Sequence, residues 1–176
     1  MSPKTLQPVP RFNQQRVGAV TFAVVAPDDI AARACLEAYY RELATRFEAG
    51  FDPAANPAND ADMRPPRGYF VLATLEGEAV GCGVLVCGAD GVSGEIKRVC
   101  TAPGARGLGI AKRLLDRLEV IAGERGLEVL RLDTNRTLHE AQALYRREGY
   151  REIARFNDNP YAHHWFEKRL APGSAP

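Results

Sequence analysis

Residues 95–134 constrain the fold more than any other stretch of the chain. "EIKRVCT" (95–101) has the apolar, β-branched character of a strand and ends before Pro103. A helical period follows from about Gly109 to Arg125, with Ile110, Leu114, Leu118 and Ile121 on one face, and Gly126 closes it. "EVLRLDT" (128–134) is again strand-like. Two strands joined through a helical crossover lie parallel in one sheet, whereas a tight turn would make them antiparallel. Any fold for this chain must therefore contain at least one parallel pair.

Its surroundings predict antiparallel pairing. "AVTFAVVAP" (19–27) is a strand, and Asp28 or Asp29 caps a helix to about Glu48, ended by Gly50. "YFVLATL" (69–75) and "AVGCGVLVC" (79–87) flank "EGE" as a hairpin, and "GADGVSG" turns into the 95–101 strand. A helix over Leu138–Glu148, closed by Gly149, precedes two last strands, "REIARFN" (151–157) and "HHWFEKRL" (163–170). The order β-α-β-β-β-α-β-α-β-β predicts an α+β fold: a mixed, mostly antiparallel sheet with one parallel pair and helices on both faces. Residues 1–18 are expected as a loose arm, 19–171 as one domain and 172–176 as a frayed tail. Residues 51–68 carry four prolines and no period, the composition of a lid on the substrate side or of a floppy connector.

Composition excludes several function classes. The 176 residues carry a formal net charge of +1, so no global field points to nucleic acid or an anionic membrane. No apolar run is long enough to span a bilayer, and the N-terminus lacks the apolar segment of a secretory signal. Cys35, Cys82, Cys87 and Cys100 form no CxxC pair and have no histidine nearby, which predicts reduced thiols, no metal site and a cytoplasmic protein.

The turn "PGARGLGIAKRLL" (103–115) carries the chemistry. The GxxxxGK[ST] phosphate loop is absent. The dinucleotide pattern GxGxxG is half present, with Lys112 in place of the third glycine and Asp133 available as a ribose-binding acid, but too little chain follows for that fold. A third reading needs only free N–H groups at a helix N-terminus. Gly107 and Gly109 let an anion approach the backbone, and Arg106 and Lys112 add positive charge.

The segment resembles the pyrophosphate-binding signature of the GNAT superfamily of N-acetyltransferases: a strand, a proline, then Arg106-Gly107-Leu108-Gly109-Ile110-Ala111. A second family element appears as Ala141, Leu144, Tyr145, Gly149 and Tyr150. The resemblance is strongest over 95–151. It implies acetyl-coenzyme A as cosubstrate, lying where the strands 95–101 and 128–134 splay. Val99, Cys100 and Thr101 would meet the pantetheine arm, and residues 106–112 (Arg106, Gly107, Leu108, Gly109, Ile110, Ala111, Lys112) the pyrophosphate. Many family members carry an asparagine where this chain has Leu138, so that contact to the pantetheine arm is either lost or supplied by Asn135.

The resemblance further implies that Glu95 acts as base for an amine acceptor and that Tyr145 protonates the departing thiolate. Of His163 and His164, adjacent on a strand, at most one can face the cleft. The acceptor pocket is expected from the first helix, the 51–68 loop and the last strands. Tyr39, Tyr40, Arg98 and Trp165 are its named candidates, with Phe47, Tyr161 and Lys97 beside them. Aromatics with one or two cations suit a small amine that also bears a carboxylate, such as an amino acid. The expected function is direct acetyl transfer in a ternary complex, by a monomer or homodimer; the alternative is a catalytically silent acyl-coenzyme A-binding regulatory domain.

Overall fold

A computed structural model describes residues 19–56 and 59–172; the expected N-terminal arm and most of the tail lie outside the described residues. The elements follow the expected order: β1 (Thr21–Val25), α1 (Ile30–Arg46), β2 (Gly68–Leu75), β3 (Glu78–Cys87), β4 (Ser93–Thr101), α2 (Ile110–Glu124), β5 (Val129–Thr134), α3 (His139–Arg147), β6 (Arg151–Ile153) and β7 (His164–Arg169). They form one seven-stranded sheet in the order β1-β2-β3-β4-β5-β7-β6. Only β4 and β5 run parallel; every other pair is antiparallel.

Alternation along β2 shows why both sheet faces are covered. Tyr69, Val71, Ala73 and Leu75 join one core, against Leu114, Leu115 and Leu118 of α2. Phe70 and Leu72 point the other way, toward Ala32 and Leu36 of α1. The Asp29 carboxylate caps α1 by accepting from the N–H groups of Ala31 (2.9 Å) and Ala32 (3.1 Å). No described helix is long and apolar enough to cross a membrane.

The described part of 51–68 forms short 3-10 turns, Pro53–Ala55 and Asp60–Met63. One expectation is corrected: the strand expected over 151–157 ends at Ile153. Beyond it asparagines bend the chain: Asn157 Oδ1 accepts from the Asn159 N–H (3.3 Å), and Asn159 Oδ1 from the Tyr161 N–H (3.0 Å). Short-range side-chain bonds of this kind compete with a sheet ladder.

Gly68 lies where β2 meets the preceding turn. A Cβ there would sit 1.9 Å from the Asp62 carbonyl oxygen and 2.7 Å from that of Leu85. Gly68→Ala should therefore lower stability by roughly 1–3 kcal/mol. Gly123→Ala, inside α2 with open space at its Cβ, should raise it by about 0.5–1 kcal/mol. Urea unfolding midpoints that fail to move in opposite directions would refute this packing.

Candidate active site

The cleft begins where two strands part. β4 and β5 pair only from Ser93–Val129 to Glu95–Arg131. β5 then continues along β7 as far as Thr134–His164, while β4 stays with β3. The β3–β4 register slips between Cys82 and Val84, and in the slipped segment Arg98 adopts φ +54°, a left-handed conformation uncommon outside glycine. Beyond Glu95, β4 thus presents a face to open space.

The larger cavity, about 420 Å³, lies between the end of β4, the first turn of α2, and helices α1 and α3. Of the residues expected to hold the cofactor, Val99, Cys100, Thr101, Arg106, Gly107, Gly109, Ile110, Ala111, Lys112 and Tyr145 all line it. Gly107 and Gly109 have φ +78° and +74°, with open space where a Cβ would stand. No side chain caps α2, and the N–H groups of residues 107–112 have no partner among the described residues. Thr101 Oγ1 is buried and also unpartnered. Unmet donors with positive charge nearby suit a ligand that brings acceptors and negative charge.

The rim charges are already engaged. Arg106 pairs with Glu42 of α1, and Lys112 lies 2.8 Å from Asp116 and 3.5 Å from Glu148. Arg46 and Arg147 also line the cavity; they come from helices that sequence reading could not place beside the turn. One expectation narrows and one fails here. The Leu108 side chain packs against the core and does not line the cavity, which leaves its backbone N–H as its contribution to the turn. Asn135 lies outside it too, its amide donating to the Tyr161 carbonyl (2.8 Å) and its Oδ1 accepting from Thr137.

A smaller cavity adjoins the first, lined by Glu95, Lys97 and Arg98 of β4, Asp133 of β5, and the aromatics Tyr40, Phe47, Phe51 and Tyr161. Asn157 Nδ2 bridges two carboxylates, donating to Glu95 (3.1 Å) and Asp133 (2.6 Å). Asn159 Nδ2 donates to the other Asp133 oxygen (2.9 Å), and Lys97 Nζ lies 3.4 Å from Glu95. Arg98 donates from Nε to the Tyr40 hydroxyl (2.6 Å) and from one terminal nitrogen to the Asn56 carbonyl (3.2 Å). Its other terminal nitrogen is buried without a partner.

Trp165 is corrected from pocket wall to support. It does not line either cavity; its indole N–H donates to Asn157 Oδ1 (2.9 Å). An indole can only donate, so it fixes the Asn157 amide with Nδ2 toward the carboxylates. Neither histidine faces the cleft: His163 Nδ1 accepts from the Arg136 N–H, and His164 pairs with Glu152. The Asp133–Asn157–Asn159 cluster was missed as a site. Its only trace in the sequence is the turn-forming run "FNDNP" (156–160).

A sequence profile of the acetyltransferase (GNAT) family matches residues 33–150. The chain belongs to the GNAT family. Among curated relatives, the GNAT chain is 39% identical over 99 residues to an IAA acetyltransferase of Azospirillum brasilense, covering 56% of this chain and 63% of that one. It spans less than two thirds of the length of the curated relatives it matches. Among solved structures, a GNAT acetyltransferase of Staphylococcus aureus is 20% identical, with TM-score 0.74 and 86% and 99% of the two chains covered. A GNAT acetyltransferase of Elizabethkingia anophelis, solved with acetyl-CoA bound, is 18% identical, with TM-score 0.61 and 86% and 98% covered. Both likenesses establish the GNAT fold.

Tyr145 lines both cavities. Its ring packs on Tyr150 and Phe166, and its hydroxyl has no hydrogen-bond partner among the described residues. Burial pushes the phenol well above its usual value, with the Asp133 carboxylate a smaller cause. The folded chain therefore keeps Tyr145 protonated past the usual tyrosine range. Below about pH 10 the phenol is neutral whether the chain is folded or not; from there upward the unfolded chain ionises first and stability falls. Ultraviolet titration of wild type against Tyr145→Phe should show the missing phenolate step only above about pH 10. A difference step below that pH would contradict the burial.

Proposed function

We propose that this chain transfers the acetyl group of acetyl-coenzyme A directly to the amine of a small molecule that also carries a carboxylate and an apolar body. The observation that supports it most is the meeting of the two cavities at a common wall of Val99 and Tyr145. A thioester end arriving through the larger cavity and an amine arriving through the smaller would come together there.

The larger cavity fits the cosubstrate in its unmet groups, the N–H row at 107–112 for the pyrophosphate and Thr101 Oγ1 for the pantetheine arm, and in the positive charge that Arg106 and Lys112 bring to its rim beside their carboxylate partners. When bound, acetyl-coenzyme A supplies an activated acyl group. The chain's own residues do the rest. An amine is almost wholly protonated at neutral pH and unreactive in that form. Glu95 and Asp133 attract the ammonium, and Glu95 takes its proton. Asn157 holds both carboxylates in place. Tyr145, neutral by burial, donates to sulfur as negative charge develops there, an interaction stronger in the transition state than before it.

The acceptor class rests on Arg98 and its neighbours. The unpartnered guanidinium nitrogen suits a carboxylate, and Tyr40, Phe51 and Tyr161 around it suit an apolar body. Thiol release should be measured with amino acids against amines that lack the carboxylate. Arg98→Met should raise KM for carboxylate-bearing acceptors by about 10–100-fold, the worth of a charge-assisted hydrogen bond, with little effect on the others. A preference for amines without the carboxylate would overturn this acceptor class. Binding of acetyl-coenzyme A without thiol release for any amine would leave the silent binding domain.

Glu95→Gln keeps the shape and the hydrogen bond from Asn157 but removes the base. It should lower kcat by about 100-fold or more, with acetyl-coenzyme A affinity by calorimetry nearly unchanged. Full kcat in this variant would remove Glu95 from the mechanism and leave Asp133 as the carboxylate to test.

A further inference from the structure

Away from the acid cluster, the chain gathers a second set of reactive groups that acyl transfer does not use. Cys82 of β3 and Cys100 of β4 are direct cross-strand partners. Cys35 comes down on them from α1. The sulfurs of Cys82 and Cys100 lie 3.4 Å apart and those of Cys35 and Cys100 4.0 Å apart; all three lie within 4.8 Å of one another. All are free thiols. The fourth cysteine, Cys87, stands outside the group.

We propose that Cys35, Cys82 and Cys100 form a three-thiolate site for a thiophilic metal or metalloid ion. The spacing fits. With metal–sulfur bonds of about 2.3 Å, three sulfurs around one centre stand about 4 Å apart, close to the separations already present. The donors come from three different elements, so little more than side-chain rotation is needed to close them on an ion. The donor chemistry selects the occupant: an all-sulfur set with no carboxylate or imidazole in the group favours soft ions and rejects magnesium and calcium. This reverses the expectation, drawn from cysteine spacing alone, that the chain has no metal site. Cys35, Cys82 and Cys100 are 47 and 18 positions apart in sequence and meet only because α1 packs on the β3–β4 pair.

The surroundings bear on charge. Ala32, Leu36, Phe70, Leu72 and Val84 make an apolar wall around the sulfurs, and such a wall penalises net charge. A divalent ion binds as M²⁺ + 3 RSH → M(SR)₃⁻ + 3 H⁺ and leaves one negative charge. Arsenous acid binds as As(OH)₃ + 3 RSH → As(SR)₃ + 3 H₂O and leaves none. Both use the same three sulfurs. Cys100 also lines the larger cavity, which gives an ion a path inward, while Cys35 and Cys82 line neither cavity.

The test uses the full chain, reduced and freed of metal by chelation. Cadmium titration should saturate at one ion per chain, with a thiolate-to-cadmium ultraviolet band and release of three protons. Arsenous acid should saturate at the same stoichiometry without proton release. With either bound, a thiol reagent on the native protein should lose the reaction of the part-exposed Cys35 and Cys100 and keep that of Cys87. Cys35→Ser should weaken cadmium by about 100-fold or more, since even removing a supporting group outside the ligand set costs 10–100-fold; Cys87→Ser should bind as wild type. Tighter arsenous acid assigns the site to a metalloid, and tighter cadmium to a divalent metal. Wild-type affinity in a folded Cys35→Ser variant overturns the proposal. Should that variant melt before it can be assayed, the wild-type stoichiometry decides: one cadmium ion per chain with the thiolate band upholds the site, and no saturable binding overturns it.

Discussion

Strand β4 has one edge and two neighbours, and the allocation of its hydrogen bonds governs the molecule. At its start, Ser93 to Glu95, it is paired on both sides, by β3 and by β5. Past Glu95 the partner on one side is gone, because β5 diverges from β4 there while keeping its pairing with β7 on its other edge. A backbone group left without a sheet partner must find water or a ligand. The cleft is the structural form of that requirement. The slipped register against β3 and the left-handed backbone of Arg98 complete it, turning Arg98 and Val99 toward the opening.

Much of this was legible in the chain, for physical reasons. The helical period of 110–121 and the glycines that bound it announce α2, and a helix between two strands announces the parallel pair. The glycine turn announces an anion-binding backbone, because positive φ and open space are local properties that two residues can specify. Tyr145 was found through its place in a motif, and it does line both cavities.

What was not legible depends on contacts between distant segments. Asp133 was weighed only as a possible ribose ligand, and Asn157 was placed in a strand; that the two meet beside Glu95 follows from the bend after Ile153. Trp165 was read as pocket wall from its residue type, when its N–H serves to orient an amide. Asn135 was assigned to the cofactor by analogy of position, but its polar atoms were already needed to hold Thr137 and the Tyr161 carbonyl. Sequence spacing also hid the cysteine group, whose members are far apart in the chain and adjacent in space.

The shared wall has a thermodynamic corollary. Tyr39, Leu43, Val99, Leu138, Ala141 and Tyr145 each border both cavities, so a movement of any of them changes the shape of both. An occupant that draws these side chains together on one side resets the room available on the other. The affinities of the two occupants are then linked, and linkage is reciprocal: whatever factor the first imposes on the second, the second imposes on the first. Order of addition in such a protein is therefore a property of the wall as much as of either ligand.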